Sequence, residues 1–587
     1  MMADPADYDP GDLQVLQDII DLNSLEMEPM DVGEQVWSND RLVYLDLGWG
    51  TGLSITQLPE SLGNLDQLGG LNLSNNVLTE LPESVGELTE LTSLDAGYNN
   101  LAQLPESISN LQNLQRLYLG YNQLSFIPAG LFNLDNLLQL DLSSNLLDQL
   151  PDEINALTQL EILDVSANLL TVLPATFTEI ASLSWLDLSE NQLNSLPIDF
   201  GNLTQLQILD LSFNNLDSIP AGFSGFSGLF QLDVSGNNIG ELPAEISELT
   251  NLFSLDISEN QISALSSTIG DLINLTSLNI ADNLLTELPP EIGSLVSLFF
   301  LDASANQISA VPDGLFSVTS LLELNLSFNQ LSGIPSAING LVNLEKLNLQ
   351  ENNLQALPDE IVNLPLLEWL NCSGNSLIQF PAIGQDLIHL KTFEISNNEL
   401  TQLPLGLDQL TALEQLSVNN NLLTEVPVAI GSLSNLLVLY LADNYLISLP
   451  ETVHDLTELW LLDLSGNALY CFDGNQDSDL IPVFLLDGSI PWVGGLFDQD
   501  CSLAGCTDPA ALNYNPETVI DDGSCLYNAP GDINLDNTID ILDILLLVNF
   551  ILGLPPDPVQ FQASDINEDG LLDILDILLI VGFILDS

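Results

Sequence analysis

The sequence predicts an α/β solenoid with a parallel β-sheet on its concave face, followed by a small all-α C-terminal module. Three observations carry this. A 23-residue unit, LxxLxLxxNxLxxLPxxIxxLxx, recurs in eighteen registered copies, its asparagine falling at Asn76, Asn99 and every twenty-third position thereafter to Asn467. Hydrophobic residues make up 46% of the 587, enough for a core that runs the length of such an array. Near the C-terminus the pattern DxNxDxxxxxxD occurs twice, each time leading into a short apolar run.

Each part of the repeat has a physical role. In the copy at 137–159, Leu140 and Leu142 point to one side of a short strand and the residue between them to the other, because side chains alternate across a strand. One unit cannot bury its own leucines, so units must stack. An asparagine turned inward after each strand satisfies backbone groups that the stacked core would otherwise bury unpaired. Proline recurs from Pro59 and Pro82 to Pro450, and only Ser266 interrupts the column. Its fixed φ and missing N–H make the return leg extended or short-helical, not a second paired strand. An irregular first copy, Leu42-Val43-Tyr44-Leu45-Asp46-Leu47, has Gly50 in the asparagine slot. These motifs resemble the leucine-rich repeat family in its LPxxIxxL variant, over roughly three quarters of the chain. The resemblance implies a horseshoe of about nineteen repeats over residues 41–470. With strands about 4.8 Å apart, its concave sheet extends roughly 85 Å along the arc.

Residues 1–40 read as an N-terminal helical cap: Asp12-Leu13-Gln14-Val15-Leu16-Gln17-Asp18-Ile19-Ile20-Asp21-Leu22 has apolar residues at helical spacing, with Asp12 as the expected N-cap. No basic n-region or apolar h-region precedes it, so no signal peptide is visible. The charge balance is extreme, 83 Asp+Glu against 4 Lys+Arg, formally −79. The basic residues are Arg41, Arg116, Lys346 and Lys391, and none follows. Nucleic acid and anionic membrane surfaces are excluded as partners. Such a surface repels itself, and salt or divalent cations ease it, which points to a saline or calcium-rich setting.

The residue between the strand leucines stands at the centre of the concave face. It is Asp in nine copies, six of them consecutive from Asp141 to Asp256. Aromatic residues on that face are the candidate ligand contacts: Tyr98, Tyr118 and Tyr121 beside Arg116, Phe300 and Phe328 near Lys346 and Trp369, with Trp185 and Phe213 between. Exposed rings on a binding surface serve protein hot spots and sugar stacking alike. Either a protein or an extracellular glycan fits them.

Past Tyr470 the repeat wording stops. Residues 471–504 read as a C-terminal cap and 505–528 as a small Cys-bounded module, the latter resembling one that recurs in large secreted proteins of marine bacteria. Four cysteines fall here, Cys471, Cys501, Cys506 and Cys525. Cys471 with Cys501 and Cys506 with Cys525 is the most local of three connectivities, and disulfides imply an oxidising compartment. Cys372, by contrast, takes an inward strand position and reads as a buried thiol. Zinc lacks its histidine and CxxC spacing here.

Residues 529–587 hold the sharpest chemistry. Asp532, Asn534, Asp536, Thr538 and Asp543 in one loop, and Asp565, Asn567, Asp569, Leu571 and Asp576 in the other, occupy positions 1, 3, 5, 7 and 12 of an EF-hand-like loop. Side-chain oxygens there, with the backbone carbonyl at position 7, wrap Ca2+. The duplication, with an apolar helix after each copy, resembles a dockerin, which implies a cohesin as partner. Asn537 stands where the turn glycine is usual, a weaker choice that still tolerates the left-handed turn. The apolar runs are too short for membrane insertion.

The two histidines, His389 and His454, are isolated, and no nucleophile elbow or phosphate loop is present. The expectation is a non-enzymatic, extracellular or cell-surface recognition or adhesion protein. It would bind a protein or glycan on the concave face and dock through a calcium-dependent module to a cohesin-like domain. Self-assembly of the chain into filaments or a surface layer, through another copy of itself, is the first alternative. A cytoplasmic leucine-rich repeat scaffold is the second.

Overall fold

The computed structural model describes residues 8–467 and, beyond them, 504–505, 520–521, 533, 539, 541–552, 564, 572 and 574–586. The chain divides into two compact units, residues 1–395 and 396–587.

The first unit opens with helix α1 (Pro10–Asn23), capped by Asp9, which accepts from the N–H groups of Gly11 (2.8 Å) and Asp12 (3.3 Å). The cap is therefore Asp9 and not Asp12, because Pro10 has the fixed φ suited to the first helical position. Asp12 is instead 1% exposed and accepts from Arg41 Nε (3.0 Å), Arg41 Nη2 (2.9 Å) and the Leu42 N–H (2.8 Å). A buried carboxylate needs such pairing, and this one ties α1 to the start of the sheet. Strand β1 (Glu34–Ser38) runs antiparallel to β2 (Arg41–Asp46) through Asn39 and Asp40, both at positive φ. Helical spacing does not reveal this hairpin; its signal is the Asn-Asp pair at the turn.

From β3 (Gly70–Asn72) to Thr392–Glu394, strands of three residues pair in parallel, each one repeat from the next: Leu140 stands opposite Leu117 on one side and Leu163 on the other. The central leucine is buried and its two neighbours face outward, half-buried, as in Gln139–Asp141. Nearly every return leg begins at the proline and forms one short 3₁₀ turn, such as Glu83–Glu87 or Asp152–Ala156; the leg at Pro381 forms none. Where Ser266 replaces proline, its hydroxyl accepts from the Thr268 N–H and caps the turn.

The asparagine column acts as the sequence implies. Asn145 donates to the carbonyls of Leu119 (3.0 Å), Leu142 (3.1 Å) and Ser143 (3.0 Å), and its Oδ1 accepts from the Leu124 N–H (2.9 Å). One side chain thus joins two repeats. The residue before each asparagine turns the chain out of the strand at a φ between +50° and +58°, from Asn75 and Tyr98 to Glu351 wherever it is not glycine. No β-branched residue occupies this column, because a left-handed backbone crowds Cβ most where it is branched. Cys372 is fully buried, and that burial pushes its thiol pKa up.

In the second unit, Gln415–Ser417, Val438–Tyr440 and Leu461–Asp463 pair in the same parallel register. Helices α2 (Ile541–Ile551) and α3 (Ile574–Asp586) pack around Ile533, Leu547, Phe550 and Ile580. The fold is a parallel-sheet solenoid with a small helical module. Cys471, Cys501, Cys506 and Cys525 lie outside the described residues.

Candidate functional site

On the strand face, Asp141, Asp164, Asp187, Asp210, Asp233 and Asp256 stand opposite one another on successive strands. They are not the fully exposed charges that strand alternation alone suggests. Each Oδ1 accepts from the N–H of the serine two residues on at 2.9 Å, and from its hydroxyl at 2.6–2.7 Å. The side chain thereby shapes the turn that ends the strand. Loss of water, and secondarily the flanking aspartates, push Asp187 and Asp233 up to about 6 despite the serine bonds that pull the other way. Asp95 and Asp164 are raised, first of all by burial.

The aromatic candidates divide. Tyr98 and Tyr121 occupy the positive-φ column and stack face to face, centroids 4.2 Å apart and planes 9° from parallel, with 55% and 51% of each exposed. Tyr118 lies on the strand itself, its hydroxyl donating to Gln139 Oε1 at 2.7 Å. Arg116 begins that strand, exposed between Ser93 and Gln139, and forms no ion pair among the described residues. Lys346 pairs with Glu323 and Lys391 with Glu368. Trp185 is half-buried between Ile162 and Ile208 of the adjacent strands. Phe213 lies over Gly236, where an added Cβ would come within 2.6 Å of the ring.

Phe300, Lys346 and Trp369 do come together, lining a hollow of about 150 Å³ with Asp302, Glu323, Asn325 and Asn348. Phe328 does not join them; it sits at a positive-φ turn, 53% exposed. Sequence reasoning missed Phe230, Phe253 and Phe299, exposed residues standing one position ahead of their strands. The 23-residue register was the available signal, since it aligns them with Thr276 and Leu322 in a single column.

In the helical module, Asp543 and Asp576 fill the last position of the two DxNxDxxxxxxD loops and lie in the first turns of α2 and α3, both fully buried. Asp543 Oδ1 accepts from the Ile533 N–H at 2.7 Å. Asp532, Asn534, Asp536, Thr538, Asp565, Asn567, Asp569 and Leu571 lie outside the described residues. Buried carboxylates in a segment with no lysine or arginine are suited to holding a cation, and an oxygen-only donor set suits a hard one. Ile541, Leu542 and Leu545 on α2, and Ile574, Leu575 and Leu578 on α3, are exposed at equivalent positions of the two copies. Val548 and Val581 are half-buried.

Comparison with known families and structures follows the same division. Residues 13–143 match the leucine-rich repeat region family, 139–193, 197–239, 301–354, 319–377 and 413–469 the leucine rich repeat family, and 530–585 the dockerin type I domain. No curated protein matches the chain significantly. Among solved structures, a leucine-rich repeat protein of Leptospira interrogans is 31% identical, covering 71% of this chain and 95% of its own, with a TM-score of 0.55. YopM of Yersinia enterocolitica is 30% identical over 73% of this chain and 84% of its own, TM-score 0.51. The plant peptide hormone receptor RGFR1, in complex with RGF2, is 29% identical over 73% and 78%, TM-score 0.58. The asparagine-bridged repeats, the likeness along nearly the full length of the Leptospira protein and the matched C-terminal module make this chain a leucine-rich repeat protein with a dockerin type I domain.

Proposed function

We propose that this is a secreted or cell-surface recognition protein without catalytic activity, which binds a polypeptide on its concave strand face and docks through its dockerin to a cohesin-type partner when calcium is bound. The matched pair of buried carboxylates, Asp543 and Asp576, carries the docking half. Bound calcium supplies the positive charge that neither lysine nor arginine supplies after Lys391. The two carboxylates, with loop positions Asp532, Asn534, Asp536, Asp565, Asn567 and Asp569, hold that charge while α2 and α3 present their repeated apolar faces. For the ligand-binding half, the structural likeness to a peptide hormone receptor in complex with RGF2 favours a polypeptide over a glycan. Tyr98, Tyr118, Tyr121, Arg116, Trp185, Phe300, Phe328, Lys346 and Trp369 are its proposed contacts. Among the described residues, no helix is long and apolar enough to cross a membrane.

Calorimetry of the full chain with calcium, alongside binding to immobilised cohesins with and without a chelator, tests docking. Extracellular sites of this kind bind with constants of about 10⁻⁴ to 10⁻³ M, so tenfold excess calcium adds roughly 1.4 kcal/mol per site. The expected result is calcium-dependent capture that Asp543→Asn combined with Asp576→Asn abolishes. Absence of calcium heat, with capture indifferent to chelator, would sink this half. Secretion is tested separately by mass mapping without reductant, which should pair Cys471, Cys501, Cys506 and Cys525. Four thiols in native material would place the protein inside the cell.

A further inference from the structure

The strand face of the first unit carries an apolar row that the contacts above do not use. Phe230, Phe253, Thr276, Phe299 and Leu322 each stand one residue ahead of their strand. From Phe253 onward the backbone N–H of each donates to the carbonyl of the one before it at 2.8–2.9 Å, so the five are successive neighbours. The phenylalanines are 36%, 51% and 49% exposed. The row ends beside the Phe300 hollow. Neighbouring large rings left in water at one edge of a binding face are characteristic of interface anchors.

Three residues further on in each repeat, at most about 10 Å away at roughly 3.3 Å per residue, lie Asp233, Asp256, Asn279 and Asp302, with Asp210 preceding them. Asp256 and Asp302 give their second oxygens to Asn279 (2.8 Å) and Asn325 (2.9 Å). Asp210 and Asp233 each keep an oxygen with no protein hydrogen bond among the described residues. From Arg116 to Lys346 the chain contains no basic residue to neutralise this column.

We propose that the two rows seat a basic, amphipathic polypeptide segment, its apolar side chains on Phe230, Phe253 and Phe299 and its lysines or arginines on Asp210, Asp233 and Asp256. This rests on reading the strand face as a polypeptide-binding surface and names the chemistry of the partner. Charge complementarity decides the sign: a chain of net charge −79 attracts a cationic segment and repels an acidic one. The phenyl row decides the amphipathicity, since charge alone leaves those rings wet.

The test uses the full chain and three synthetic peptides of equal length, one alternating leucine and lysine, one leucine and glutamate, and one serine and lysine. The leucine–lysine peptide should bind best, and more weakly as salt rises. Replacing Phe230, Phe253 and Phe299 with serine should weaken it by about ten- to a hundredfold with the melting curve unmoved. If the triple variant melts early, Phe253→Ser alone, at the most exposed of the three, should still weaken binding. Changing Asp210, Asp233 and Asp256 to asparagine should weaken binding and flatten its salt dependence; Asn279 and Asn325 already occupy this column, so the fold tolerates the change. Equal binding of the serine–lysine peptide, or indifference to the phenylalanine variants, overturns the proposal. A library-selected peptide that loses binding on changing Tyr98, Tyr121, Phe300 and Trp369, but not on changing either row, overturns this seat and leaves the face a binding surface. Failure of every peptide to bind the strand face sinks both readings.

Discussion

Asn214 shows why a single side chain can specify this fold. Its amide donates to the carbonyls of Leu188 (2.9 Å), Leu211 (3.1 Å) and Ser212 (3.2 Å), while its oxygen accepts from the Leu193 N–H (2.9 Å). No other short side chain offers two donors and an acceptor, and losing it strands buried backbone groups from two repeats. Asn214→Ala should therefore lower stability by about 1–3 kcal/mol, whereas Asn215→Ala, at an exposed neighbour, should change little. Urea unfolding of both variants checks this; equal midpoints would contradict the bridging role. Asp9 and Asp12 teach the converse. Both are acids near a helix start, and only the placement of Pro10 and the reach of Arg41 separate the cap from the buried ion pair.

The aspartate row is an element-scale feature, since its chemistry exists only when strands align. A carboxyl whose folded pKa is raised holds its proton more tightly in the folded state. Asp187 and Asp233, at about 6 against 3.8 unperturbed, therefore oppose folding above pH 6. That opposition fades as the pH falls through 6 toward 3.8, where the unfolded chain also takes up the proton. The unfolding midpoint should rise on going from pH 7 to pH 5. Asp187→Asn with Asp233→Asn should be the more stable protein at pH 7 and should gain less on acidification. A double variant with the parent's pH profile would refute the assignment. The positive-φ column is likewise an element property: Tyr98, Tyr121, Phe213 and Phe328 share one backbone conformation with Ala167 and Glu190, so their strain belongs to the turn and not to a ligand site.

At the scale of the molecule, 83 acidic residues face 4 basic ones, and Arg41 alone spends its charge on a buried partner among the described pairs. Surface ion pairs such as Lys391 with Glu368 contribute little, so the long-range balance is repulsive. Melting temperature should climb as sodium chloride is raised from about 10 mM, where screening extends roughly 30 Å, to 1 M, where it extends roughly 3 Å. A flat salt response would mean that the carboxylates are already neutralised by bound cations.

The sequence by itself determined the repeat, the parallel strands, a return leg that is not a second paired strand, the asparagine bridges and the inward place of Cys372. It could do so because every unit of a solenoid meets a copy of itself, so that the local pattern and the tertiary environment are the same information. The 23-residue register lines up the outward residues, and only the tertiary structure decided which of those neighbours make contact. Stacking brings Tyr98 onto Tyr121 and leaves Tyr118 to Gln139, closes Phe300, Lys346 and Trp369 around one hollow without Phe328, and aligns Phe230, Phe253 and Phe299 along an edge. Outward positions are free of the core's constraint, so the register says which of them are neighbours but not how their side chains turn, and that is settled only when strands 23 residues apart pair.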